Sequence, residues 1–143
     1  MQIIGNIRRG CGVATQTLAL QLPHIGNEFP EVAACHRGSI NLELELPLLV
    51  LAPDHRTQPI AWKTGITEVF DFLRIELEAP PDSSPISAWL YIPHDSPHRR
   101  TPHIHEVITT TQLNLAGVTM CRIRINRSAF QLPLPQFRAL VVV

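Results

Sequence analysis

The sequence is short of lysine, aromatic residues, cysteine, net charge and long apolar runs, and each shortage narrows what the chain can be. Only Lys63 among its twelve basic residues is lysine; the rest are arginine. Twelve acidic residues balance them, so no global field draws the chain to nucleic acid or to a membrane surface. No stretch approaches the roughly 20 apolar residues of a spanning helix. The opening Met-Gln-Ile-Ile-Gly-Asn lacks the apolar core of a secretory signal. The expectation is a soluble, cytoplasmic protein with no nucleic-acid and no membrane partner. The three cysteines, Cys11, Cys35 and Cys121, are odd in number and far apart. That argues against a disulfide framework or a paired-cysteine metal site and suits a reducing compartment. Acid is missing from the last quarter: no Asp or Glu follows Glu106, whereas Arg122, Arg124, Arg127 and Arg138 do.

What is present is strand periodicity. A chain of 143 residues with 45% hydrophobic and 17% charged content suits one folded domain. The stretch around which the rest is organised is Phe29 to Leu48. Its second half sets Ile40, Leu42, Leu44 and Leu46 against Ser39, Asn41, Glu43 and Glu45, the period of two of a half-buried strand. Similar strands are expected at Gln2–Arg8, Thr15–Leu22, Leu48–Ala52, Val69–Leu77, Ile86–Ile92, Ile104–Thr109 and Val118–Ile125. In the fifth of these, Trp89 and Tyr91 share one face and read as core. A short helix fits Asn27–Ala34, with Asn27 as its cap and Pro30 in its first turn. Pro53–Pro59 reads as a polar loop and Thr110–Leu115 as one helical turn. Many short strands broken by 13 prolines predict a mainly β fold, a small barrel with one or two short helices. The domain covers 1–130, and an apolar tail, 131–143, is expected to pair with a sheet edge, to join another subunit in a homo-oligomer, or to be partly disordered.

Three features carry possible chemistry. Ser39 and Asn41 lie two apart after Gly38, so a strand points both heads to one side. A hydroxyl beside an amide oxygen suits a hard cation or a phosphate, and equally suits a capped strand entry. Gly10-Cys11-Gly12 reads either as a hairpin turn with positive-φ glycines or as a loop of bare amides that approaches a phosphate. It lacks the spacing and the following helix of a dinucleotide-binding turn. His94, His98, His103 and His105 are crowded together, yet no carboxylate or cysteine completes a zinc-like spacing, and loop or pocket histidines describe them better.

Taken in order, these pieces resemble the CTP-dependent riboflavin kinases of archaea over about residues 2 to 126. Ile3-Ile4-Gly5 with Arg9-Gly10-Cys11-Gly12 resembles that family's first strand and glycine-rich loop. Leu20-Gln21-Leu22-Pro23 resembles the Leu-Pro that closes its second strand. Gly38-Ser39-Ile40-Asn41-Leu42 is similar to its Gly-Thr-Leu-Asn strand, and His105-Glu106-Val107-Ile108 to its late Glu-Ile-Ile segment. The resemblance implies a closed six-stranded cradle-loop β-barrel. It also implies Mg²⁺-dependent phosphoryl transfer from CTP to riboflavin, with flavin and nucleotide as the partners. Ser39 and Asn41 would hold the metal. Gly10, Cys11, Gly12, Gly38 and Ser39 would line the nucleotide, and catalytic Glu106 would face the acceptor. The departures are Ser39 where the family has Thr, Cys35-His36-Arg37 in place of Pro-Tyr-x, and Ala116-Gly117-Val118 in place of Asp-Gly-Asp. The retained Gly-Ser-Ile-Asn favours the enzyme. The departures favour two alternatives: a non-catalytic barrel binding a nucleotide, flavin or other small anionic ligand, and a structural module assembled through the tail.

Overall fold

The alternation at Gln2–Arg8 and Ile40–Leu44 is strand in both places (β1 and β2) in a computed structural model of the chain, which describes residues 1–8, 13–36, 39–45, 47–95 and 103–131. Short strands follow at Leu49–Val50 (β3), His55–Arg56 (β4), Ile60–Lys63 (β5) and Ile66–Glu68 (β6). Longer ones are Phe70–Glu78 (β7), Ile86–Pro93 (β8), Ile104–Ile108 (β9) and Met120–Arg124 (β10), and Phe130–Gln131 is β11. Six of them run antiparallel in the order β10–β1–β2–β9–β8–β7. A β10–β7 pairing, Ile123 opposite Leu77, closes them into a barrel. The mainly β barrel expected from the strand pattern, closed and six-stranded as the resemblance implies, is therefore the fold. β4 adds to β7, while β5–β6 and β3–β11 are small separate ladders.

Period two sends alternate residues to opposite faces, and both faces of this sheet are used. Leu42, Leu44, Leu73, Ile75, Leu77, Leu90, Val107, Cys121 and Ile123 fill the barrel interior, each 2% exposed or less. Phe70, Phe72, Trp89, Tyr91 and Ile108 point the other way and meet a helix.

That helix, α1 (Val13–Glu28), corrects the expectation of a strand at Thr15–Leu22 and of a helix at Asn27–Ala34. Leu18, Leu20 and Leu22 alternate, but Leu18, Leu22 and Ile25 also stand at the i, i+4, i+7 spacing of a helix face. Those three are buried, while Leu20 is 49% exposed, so the helical period is the one the fold uses. Pro23 does not end it: the proline sits inside α1 on its exposed side, where it costs the helix only the bond its missing N–H would make to the residue four positions earlier. Of the predicted helix, Asn27 and Glu28 are the last residues of α1, and Pro30–Val32 is a 3-10 turn. Thr110–Leu115 holds no helix, and Pro53–Pro59 contains β4. The β5–β6 hairpin turns at Gly65, whose φ of +78° suits a residue without a Cβ. Among the described residues no helix is long and apolar enough to cross a membrane. The predicted tail lies outside them from residue 132 onward.

Candidate functional site

Strand register builds a row of side chains across the outer face. Arg8 stands opposite Asn41, Asn41 opposite Glu106, and Glu106 opposite Tyr91. Tyr91 in turn is opposite Phe72, and Phe72 opposite His55. Directly paired residues share a face with Cβ atoms about 5 Å apart, so one line of neighbours crosses six strands. Its polar end comprises Arg8, Asn41 and Glu106; its aromatic end lies under α1.

Three of the predicted residues meet at the polar end. Ser39 Oγ donates to Glu106 Oε1 at 3.1 Å, and Asn41 is the cross-strand partner of the same glutamate. Glu106 is only 7% exposed. A carboxylate at that depth is costly unless it is hydrogen-bonded, and Ser39 supplies such a bond. Asn41 Oδ1 is buried with no hydrogen-bond partner among the described residues. Buried polar oxygens are normally satisfied, so this orphan acceptor marks a place where a donor or a cation belongs. Asn41 Oδ1, the Ser39 hydroxyl and the Glu106 carboxylate form an oxygen-only set. Such a set suits Mg²⁺, which prefers hard oxygen ligands and fills its remaining positions with water or substrate oxygens. Gly10, Cys11, Gly12 and Gly38, the other predicted nucleotide residues, lie outside the described residues. α1 begins at Val13, the residue after Gly12 in the sequence, so the absence of a following helix expected there is corrected.

Sequence reasoning missed the neighbours of this trio. Tyr91, 4% exposed, donates its hydroxyl to Gln21 Oε1, and Gln21 is 1% exposed. The bond ties the middle of α1 to the strand beside Glu106. Burial, with Glu106 and Glu68 nearby, raises the phenol well above its usual range, so Tyr91 serves as a donor and never as a base. Glu68 is itself buried and accepts from Trp62 Nε1 at 3.2 Å and from the Asp95 amide at 2.7 Å. Glu28 anchors the far end of α1: its carboxylate meets His55 Nε2 at 2.7 Å and accepts from the Gln58 amide at 2.8 Å. Phe29 stacks on the same His55, centroids 4.3 Å apart. The helical spacing of Gln21 with Leu18 and Leu22 was the available signal for this layer.

The histidine cluster disperses. His94 pairs with Asp71 at 3.0 Å, beside the two Arg56 bonds to the same carboxylate. His103 Nδ1 lies 3.2 Å from the Leu44 carbonyl. His105 stands opposite Leu42 and so faces the barrel interior, its Nε2 buried without a hydrogen-bond partner among the described residues. Burial, with a smaller contribution from His103, pushes its pKa down to about 4. His98 lies outside the described residues, among which no group of three His, Cys, Asp or Glu is placed to hold a metal. Cys35 and Cys121 are buried free thiols that burial pushes up to about 11, too high for thiolate chemistry. Cys11 also lies outside the described residues. A cleft of about 220 Å³ between the end of α1 and the 3-10 turn is lined, among the described residues, by Leu22, Pro23, Gly26, Asn27, Ala33 and Cys35, and that thiol is the one titratable side chain of those six.

No family model and no curated protein matches the chain.

Proposed function

We propose that the chain transfers the γ-phosphoryl group of a nucleoside triphosphate, CTP by resemblance, to riboflavin or a similar small hydroxyl substrate, with Mg²⁺. The observation that carries this reading is the orphan Asn41 Oδ1 beside the Ser39–Glu106 hydrogen bond. Phosphoryl transfer needs positioning and charge neutralisation more than covalent chemistry from the protein, and the oxygen groups of Ser39, Asn41 and Glu106, neighbours on one sheet face, suit that need. When bound, Mg²⁺ would neutralise charge on the donor phosphates, held by Asn41 and Ser39. Glu106 faces the acceptor and takes the proton of its attacking hydroxyl. The new bond joins that oxygen to the γ-phosphorus, and the bond to the leaving nucleoside diphosphate breaks. A reducing cytoplasm is the setting that goes with this reading.

The test is product formation by the full chain with riboflavin, Mg²⁺ and each of the four common nucleoside triphosphates in turn. FMN is expected with at least one donor, and Asn41→Ala is expected to lower its rate by on the order of a hundredfold or more while flavin binding and melting stay near wild type. No FMN from folded protein with any donor would refute the kinase and leave the binding barrel as the better reading.

A further inference from the structure

Arg8 ends β1 directly opposite Asn41, yet neither the strand pattern nor the resemblance marks it. Its side chain is 59% exposed, and among the described residues its guanidinium meets only Glu43, through Nε. Glu43 lies two residues beyond Asn41 on β2, so it shares that face. The contact works as a tether: one nitrogen of the fork is held, and the two terminal nitrogens keep their donors. Asn41 thus has a carboxylate on one side, Glu106, and a fixed arginine on the other. That polarity suits a cation at the orphan oxygen and an anion beside Arg8.

We propose that Arg8 is a phosphate-binding residue of this site, taking oxygens of the terminal phosphates of a nucleoside triphosphate with its terminal guanidinium N–H groups, and that Glu43 positions it. The proposal rests on the phosphoryl-transfer reading above. Arginine suits the task because its planar fork matches two phosphate oxygens at once, which a lysine cannot do.

The experiment is calorimetric titration of the full chain with inorganic tripolyphosphate and with CTP, each with Mg²⁺, at two salt concentrations. Arg8→Gln should weaken tripolyphosphate binding by about 10- to 100-fold and flatten its salt dependence, since a fixed cation is gone. Arg8→Lys should recover part of the loss, and Glu43→Gln should weaken binding only several-fold. Melting curves should barely move, because an exposed ion pair adds little stability. If the wild type binds and Arg8→Gln binds equally well, Arg8 has no such role while the kinase reading stands. If the wild type binds neither tripolyphosphate nor any nucleoside triphosphate, both fall. Should Arg8→Gln fail to fold, Arg8→Lys and Glu43→Gln decide: weakened binding supports the proposal, and unchanged binding in both overturns it.

Discussion

The two faces of one sheet are made from the same strands and have opposite characters. The interior of the barrel is mainly aliphatic, built from leucine, isoleucine and valine with Ala88 and Cys121, and Phe130 joins the same cluster. The outer face is aromatic under α1, with Phe29, Phe70, Phe72, Trp89 and Tyr91, and it turns polar at Asn41 and Glu106. An aliphatic interior demands volume and little else. The outer layer demands geometry as well, because its rings and its buried acids are tied by hydrogen bonds. The difference separates what closes the fold from what equips a site, and His105 is the interior's exception.

The sharpest way to break the comparison is Leu90→Ala in the interior. Leu90 is fully buried, so urea unfolding should show a loss of about 3–4 kcal/mol; a loss under ~1 kcal/mol would mean the interior is not a packed core. The next effect is a matter of pH. His105 has a folded pKa near 4, below its ordinary unfolded value of about 6.5. The unfolded chain therefore binds the extra proton first, and stability that is complete above about pH 6.5 drains away as pH falls toward 4. Between pH 7 and 5 the wild type should lose ~2 kcal/mol more than His105→Leu, at about 1.4 kcal/mol per unit. Parallel losses in the two proteins would sink this assignment. The smallest effect belongs to the outer layer: Tyr91→Phe removes the donor to Gln21 and should cost about 1–2 kcal/mol. It should also speed amide exchange in α1 while leaving β7 protected, and an unchanged α1 would show that the helix does not depend on the bond.

The barrel was legible wherever period two was unopposed. Cys121, Ile123 and Ile125 alternate inward against exposed Met120 and Arg124 as their pattern predicts, and Leu42 and Leu44 do the same on β2. It was illegible where two periods coincide, since Leu18 and Leu22 satisfy both strand and helix and only Ile25 and Phe29 extend the helical stripe. The β5–β6 hairpin escaped because Ile60–Lys63 is too short to show a period. For the site, Ser39, Asn41 and Glu106 could be marked one by one. Their meeting could not be, because Asn41 and Glu106 are 65 positions apart and only strand register joins them. Arg8 was invisible for the same reason: opposite Asn41 it is a neighbour, while in the sequence it is the end of a strand.

The closure of the barrel has a consequence for how the chain is made. β1 holds one flank of the row through Arg8, but its second ladder partner is β10, Ile3 facing Ile123. β7 likewise waits for β10 along Glu76–Glu78. During synthesis both strands leave the ribosome with an open edge, and that edge lasts until residues near 124 emerge. Long-range closures of this kind fold slowly and leave edges available to other chains meanwhile. A chain stopped before Met120 would keep every residue of the row and lose the strand that holds its ends together.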